Sequence, residues 1–385
     1  MNPTFLTQRS RETIGWVDAL RVIAVFLVVF AHCCDAFVGS FDTDKRMFLT
    51  GVFTGSLTRP CVPLFVMMTG VLLLPLPREM SLGQFWRKRI GRILKPLIFW
   101  SIVLPIAFWA YFSTIGASSA NPMLKPGEYD GASLLNKLYT WVFNFNFDTV
   151  PLWYLYMLMG LYLVMPLLGA WLDRASRREV RLLLMAWGVS LFIPYLTLLA
   201  PLLGYQGNWG NMGLLGVCDW NAFGTFYYVS GFPGYLLLAY YLTRWPVQWS
   251  WGKMWAVCIP LFAVGYAITS LGYVWFQQLF PGDYAYLEIV WLFCGINVMM
   301  MTIPVFLIVQ KANWPARPWL TRLAMLAFGI YLCHFFFVFL AFDLLNISWL
   351  NPVLRILLES AVVFLLSWLV CRLFARIPLL RPFIR

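Results

Sequence analysis

The chain has 385 residues, of which 61% are hydrophobic and only 11% are charged, and its formal net charge is +12. A water-soluble globular protein averages about 25% charged residues, so this chain has too few charges to cover a soluble surface. The composition also excludes a disordered chain and a disulfide scaffold. It excludes an ordinary nucleic-acid-binding protein as well, because the basic residues lie between long apolar runs. It indicates a polytopic membrane protein that contacts lipids and binds no nucleic acid.

Ten apolar runs are each long enough to cross a hydrocarbon layer of about 30 Å, which takes about 20 helical residues. They lack the alternating pattern of a transmembrane barrel, so we expect an all-α fold. The first run has no cleavage site and is interpreted as an uncleaved spanning helix. We expect a single membrane domain without an appended soluble domain. The predicted helices lie at about 14–37, 51–76, 94–115, 151–171, 181–203, 221–243, 251–275, 284–310, 321–345 and 350–374.

The distribution of Lys and Arg predicts the orientation of these helices. The two tails and the connections after predicted helices 2, 4, 6 and 8 together hold 21 of the 28 basic residues. The alternate connections hold only Lys45, Arg46, Lys125 and Lys137. Because cytoplasmic loops carry an excess of Lys and Arg, both termini are predicted to be cytoplasmic, as an even helix count also requires. We expect the protein in the inner (cytoplasmic) membrane, as a monomer or an oligomer.

Four ionisable residues lie in the first predicted helix: Asp18, Arg21, His32 and Asp35. At about 100° per residue they share one face about 100° wide. Ionisable groups inside a membrane are costly, so this face is expected to line a cavity or a polar interior. The alternative is structural: Asp18 and Arg21 form a buried salt bridge, and His32 is a core histidine with satisfied hydrogen bonds.

The only other histidine is His334, which lies in the ninth predicted helix one turn after Tyr331. It either hydrogen-bonds a substrate or makes a structural hydrogen bond to a neighbouring helix. The eight cysteines have no C-x-x-C spacing and too few histidine partners for zinc. We therefore expect neither a metal site nor a disulfide framework.

The remaining charged residues near the predicted helices each have two interpretations. Arg59 either extends to the membrane interface or points inward as an anion or oxyanion donor. Arg89 and Arg92, one turn apart, either only set the topology or bind phosphates, because paired guanidiniums recognise phosphate bidentately. Arg355 and Glu359 lie four residues apart in the last predicted helix and most simply form a structural ion pair.

Four short motifs follow one another in chain order. They are Asp18-x-x-Arg21 with His32 after ten further residues, Arg59-x-x-x-Pro63-x-Phe65 leading to Thr69-Gly70, Arg89-x-x-Arg92, and Tyr331-x-x-His334. With ten helices around them, they resemble the integral-membrane acyltransferase-3 family, although that family commonly has Ser-Gly in place of Thr69-Gly70. The chain most resembles the stand-alone glycan O-acetyltransferases of the enterobacterial-common-antigen type, because no SGNH esterase-like domain follows the helices.

The resemblance implies an acyl-CoA-dependent O-acetyltransferase that moves an acetyl group from cytosolic acetyl-CoA to a sugar hydroxyl on the outer side. The acceptor is a cell-surface or lipid-linked glycan, and acetyl-CoA is a co-substrate. His32 is the expected base or nucleophile, oriented by Asp35, and Arg59 or a backbone amide stabilises the oxyanion. The predicted catalytic residues are His32, Asp35, Arg59, Tyr331 and His334. The predicted donor-binding residues are Asp18, Arg21, Arg89 and Arg92.

Two other functions fit a ten-helix membrane protein. A transporter or flippase of lipid-linked sugars has a polar lumen and basic inner loops, but the sequence shows no inverted repeat and no pair of helices broken by Gly or Pro. A purely structural scaffold leaves the polar face of the first helix unexplained.

Overall fold

The computed structural model describes residues 14–76, 80–124, 127–143, 146–199, 223–347 and 349–384, which form helices and connections without a β-strand. Its α-helices are α1 (Gly15–Val38), α2 (Lys45–Ser56), α3 (Cys61–Leu73), α4 (Leu82–Phe112), α5 (Gly131–Thr140), α6 (Trp153–Leu172), α7 (Arg177–Ser190), α8 (Ile193–Leu199), α9 (Pro233–Arg244), α10 (Trp251–Leu279), α11 (Tyr284–Trp291), α12 (Ile296–Ala312), α13 (Pro318–Leu344) and α14 (Pro352–Arg376).

Within the described ranges, nine segments are long and apolar enough to cross a membrane. They correspond to nine of the ten predicted helices and confirm the all-α membrane fold. The sixth predicted helix, 221–243, begins at residues outside the described ranges. Its described α-helical part is α9, whose 12 residues are too few to span a bilayer alone.

α1 and α13 run parallel to each other. Near the start of α1, Asp18 accepts a hydrogen bond from Thr321, and further along both helices the rings of His32 and His334 meet. Because α13 is parallel to α1, the first span, an even number of crossings must come before α13. Seven of the nine segments come before it, so one further crossing is required. Among the described residues, 223–244, whose α9 packs against α3, are the stretch available for one further crossing. An even total then places the start of α1 and the end of α14 on the same side of the membrane.

Three predicted helices are interrupted, which corrects their predicted extents. The run 51–76 is divided into α2 and α3, the run 181–203 into α7 and α8, and the run 284–310 into α11 and α12. The first break ends at Pro60 and the last ends at Gly295, and both residue types favour breaks in a helix. α4 also differs, because it begins at Leu82 rather than 94, behind a Ser81–Gln84 capping box.

α1 lies in the centre of the helical assembly, packed against α2, α3, α12, α13 and α14. This position explains why its polar face avoids lipid. The predicted ion pair in the last helix is present on a buried face of α14, where Arg355 Nε donates to Glu359 Oε1 at 2.7 Å. Further guanidinium donors of Arg355 reach Asn346 Oδ1 and the Phe342 carbonyl, so this pair joins α14 to the end of α13.

Candidate functional site

His32 and Asp35 form a hydrogen-bonded pair one turn apart in α1. His32 Nδ1 lies 2.7 Å from Asp35 Oδ2, and both side chains remain partly exposed. A carboxylate accepts, so Nδ1 of a neutral His32 carries the proton and Nε2 keeps its lone pair. The pair therefore presents an oriented imidazole nitrogen that can act as a base or as a nucleophile.

His334 lies beside His32, with ring centroids 5.2 Å apart. It is fully buried, and its Nδ1 donates to the Tyr331 carbonyl at 2.6 Å, which fixes the tautomer. Its Nε2 therefore carries a lone pair, and this atom has no hydrogen-bond partner among the described residues. A buried acceptor without a partner is costly, so this nitrogen is suited to receive a donor from a bound molecule.

Tyr331 is held by its own contacts next to this pair. Its hydroxyl donates to the Pro151 carbonyl, and its ring packs against Tyr154 and Phe65 at centroid distances of 5.5 and 6.1 Å. Phe65 belongs to the Arg59 motif, so two of the four motifs meet here. Tyr331 therefore meets His334 through its backbone carbonyl, while its side chain contacts Pro151, Tyr154 and Phe65.

Arg59 lies in the break between α2 and α3. Its Nε and Nη2 both donate to the Trp291 carbonyl, at 3.1 and 2.5 Å. The guanidinium also lies 4.9 Å from the Trp291 ring and 4.2 Å from the Phe293 ring. Arg59 thus points inward rather than to the interface, and it joins the broken second span to the broken eighth span.

Three carbonyl groups at the break between α11 and α12 accept hydrogen bonds from side chains. The Val290 carbonyl accepts from Asn297, the Trp291 carbonyl from Arg59 and the Phe293 carbonyl from Tyr235. Irregular backbone at membrane depth needs such partners. The absence of broken helices was an argument against a transporter, and that argument is wrong, because the chain does contain broken spans.

Asp18 and Arg21 lie near the start of α1, on the side that we call the basic side. Arg21 Nη1 donates to Asp18 Oδ1 at 3.3 Å, and Thr321 donates to Asp18 Oδ2 at 2.7 Å. The salt bridge of the structural interpretation is therefore present. Asp18 uses both oxygens to hold Arg21 and to join α1 to α13, and the guanidinium keeps further donors available.

The structure brings Arg89 and Arg92 of α4 to the same region. The charge of Arg92 acts on Arg21, and Tyr162 of α6 interacts with both Arg89 and Arg92. Arg89 Nε is buried and has no hydrogen-bond partner among the described residues. Three guanidiniums from two helices thus converge on the basic side, a donor set that suits phosphate groups.

Two adjoining cavities open on the other side, which we call the distal side. A crevice of about 10 Å³ is lined by His32, Asp35 and Asn121, and a pocket of about 390 Å³ lies beside α5. Met123 and Phe147 line both cavities, so the pocket adjoins the His32–Asp35 pair. Sequence analysis missed this pocket.

The comparison with protein families decides the class of this chain. A family profile described as an acyltransferase domain matches residues 14–372, which is nearly the whole chain. The chain belongs to the acyltransferase-3 family. No curated protein and no solved structure matches it.

For a membrane acyltransferase of this family, α1 is the element that organises the site. It carries Arg21 on the basic side and His32 on the distal side, about 16 Å apart along the helix axis. α13 follows it in parallel and adds His334 to the distal cluster. The predicted residues thus form two clusters along one helix, with Arg59 fixing the spans beside them. No group of His, Cys, Asp and Glu within the described ranges could hold a metal ion.

Proposed function

We propose that this acyltransferase moves an acetyl group from cytosolic acetyl-CoA to a sugar hydroxyl of a glycan on the outer side of the inner membrane. The observation that carries the proposal is the arrangement on α1. The carboxylate-oriented imidazole of His32 and the guanidinium of Arg21, which lies beside Arg92, are carried by one helix at opposite sides of the protein.

The arginine cluster supports the donor half of the proposal. The phosphates of acetyl-CoA bind Arg89 and Arg92 at the basic side, where the positive-inside distribution of Lys and Arg places the cytoplasm. Arg21, held by Asp18, contacts the pantetheine arm or a phosphate. The arm then extends along α1 and carries the thioester toward His32.

The distal cluster supports the transfer step. The sugar oxygen attacks the thioester carbonyl as His32 Nε2 takes its proton; the C–S bond then breaks, and the protonated His32 returns the proton to the CoA thiolate. Asp35 stabilises the imidazolium that forms in between. His334 Nε2 accepts a hydrogen bond from the bound donor or acceptor. The alternative route passes through an acetyl-His32 intermediate and converts the same reactants, thioester and hydroxyl, to the same products, ester and thiol.

A flippase of lipid-linked sugars is the second candidate, because spans 2 and 8 are interrupted. Transporters use such interruptions to expose backbone carbonyls to their substrates. In this chain the carbonyls of Val290, Trp291 and Phe293 are bound by side chains instead. The interruptions therefore favour a fixed site over a transport path.

The two functions are separated by incubating purified protein in nanodiscs with acetyl-labelled acetyl-CoA and glycan. Transfer of label, lost in His32→Ala but kept in the exposed-residue control Asp42→Asn, supports the acyltransferase. Glycan movement across proteoliposomes without acyl transfer contradicts it. Monitoring the folded state of His32→Ala by thermal unfolding separates lost chemistry from lost structure.

A further inference from the structure

The pocket beside α5 is lined by one face of that helix. Ser133, Asn136, Lys137 and Thr140 all contribute to it, at the i, i+3, i+4 and i+7 spacing of a single helical face. Asn146 adds another amide from the following connection. The lining is therefore rich in neutral amide and hydroxyl groups, which both donate and accept hydrogen bonds.

The charged groups around the pocket leave no excess of positive charge. Lys137 Nζ lies 2.7 Å from Asp148 Oδ2 and 4.5 Å from the centroid of the Tyr129 ring, while Glu128 also lines the pocket. Burial, with the neighbouring Asp148 carboxylate, raises the pKa of Tyr129, so its hydroxyl stays neutral. A cavity without excess positive charge disfavours an anionic ligand and suits an uncharged, hydroxyl-rich one.

The opposite face of α5 is apolar and faces outward. Leu135 and Tyr139 lie on it and are 68% and 89% exposed, and Phe143, just after the helix, is 92% exposed. A soluble amphipathic helix turns its apolar face to the protein, whereas α5 turns its polar face there. This inverted arrangement fits a helix whose outer face lies in the lipid at the membrane interface.

We propose that this pocket binds the uncharged sugar headgroup of a membrane-anchored acceptor, with α5 immersed in the interface where the lipid anchor lies. The proposal rests on the acyl transfer proposed above and names its acceptor class. Met123 and Phe147 line both the pocket and the crevice beside His32, so a sugar in the pocket lies next to the crevice into which its hydroxyl would extend. The anchor stays in the leaflet beside Leu135 and Tyr139.

The test uses purified protein in nanodiscs, labelled acetyl-CoA, and two extracts of the cells that naturally express the chain. One is the chloroform–methanol lipid extract and the other is the aqueous polysaccharide extract. Label is expected in the lipid fraction. Asn136→Ala removes an exposed hydrogen-bonding group of the pocket and is expected to lower this transfer about tenfold, whereas exposed Ser118→Ala leaves it unchanged.

Tyr139→Asp tests the lipid-facing side of α5. It is expected to lower transfer to the lipid fraction, whereas Tyr228→Asp, which changes an equally exposed tyrosine, is not. Label confined to the polysaccharide fraction overturns the membrane-anchored acceptor, and lipid labelling unaffected by Asn136→Ala overturns the pocket. No label in either extract contradicts the acyltransferase proposal itself. The outcomes thus distinguish failure of the acceptor proposal from failure of the acyltransferase proposal.

Discussion

The guanidinium of Arg59 and the carbonyl oxygen of Trp291 join the interruptions of two different membrane spans. Two N–H groups of Arg59 donate to this one oxygen, and the Trp291 and Phe293 rings flank the guanidinium, so the contact holds the two breaks, and with them the starts of α3 and α12, together. Both helices also contact α1, which carries His32. Arg59 therefore holds together backbone that packs beside the helix carrying His32.

Substitution Arg59→Lys is expected to lower both the midpoint of thermal unfolding and the transfer rate. A lysine ammonium cannot reproduce the planar double contact, and hydrogen bonds to charged groups contribute about 1.5–3 kcal/mol. Unfolding in detergent and transfer activity measure the two effects, with Arg46→Lys at the exposed start of α2 as the control. Lost activity at unchanged stability would instead make Arg59 an oxyanion donor.

Substitution Asp35→Asn is expected to lower kcat about 100-fold without changing the KM for acetyl-CoA. The amide no longer stabilises the imidazolium of His32, and the donor-binding arginines lie at the other side of α1. Steady-state kinetics with labelled acetyl-CoA give both constants, and Asp42→Asn supplies an exposed control. A raised KM at constant kcat would contradict the assigned role.

Substitution Arg89→Gln is expected to raise the KM for acetyl-CoA at least tenfold while leaving transfer from S-acetylpantetheine unchanged. The KM rises because the variant loses one charge-assisted contact to a phosphate of acetyl-CoA. S-acetylpantetheine has no phosphate, so its transfer does not depend on that contact. Lys88→Gln, an exposed neighbour in the same turn, is the matched control. Equal losses with both donors would place Arg89 outside the phosphate site.

Substitution Gly70→Ala is expected to destabilise the protein by about 1–3 kcal/mol. A Cβ at Gly70 would lie 2.6 Å from the Leu236 carbonyl oxygen, so α3 and α9 would have to separate. Gly160→Ala adds the same methyl to α6 where nothing lies within 4 Å, and it is expected to be neutral. Denaturant or thermal unfolding in detergent compares the two variants, and equal effects would show that α3 and α9 tolerate separation.

The membrane spans could be predicted because hydropathy depends only on which residues are apolar. The break at Leu292–Gly295 was missed for the same reason, since the chain stays largely apolar through it, and the break at Leu57–Pro60 was missed because it is short and apolar runs flank it on both sides. What holds the break at Leu292–Gly295 is a set of distant partners, such as Asn297 and Tyr235, which one sequence does not reveal. Pro60 and Gly295 were the available local signals.

The face of α1 that carries Asp18, Arg21, His32 and Asp35 could be predicted because helical periodicity fixes it. The contact of His32 with His334 depends on the parallel packing of two helices about 300 residues apart in sequence, which periodicity does not encode. The pocket beside α5 was missed because α5 lies in the connection between the predicted helices 94–115 and 151–171, for which no structure was predicted. The spacing of Ser133, Asn136, Lys137 and Thr140 could have indicated it.

The crevice beside His32 has consequences for regiochemistry. About 10 Å³ accommodates one hydroxyl or one water and no larger group. An acceptor ring therefore stays outside, and only one of its oxygens enters at a time. Which oxygen enters then depends on how the adjoining pocket holds the ring, so substitutions in that pocket should change the position of the acetyl ester.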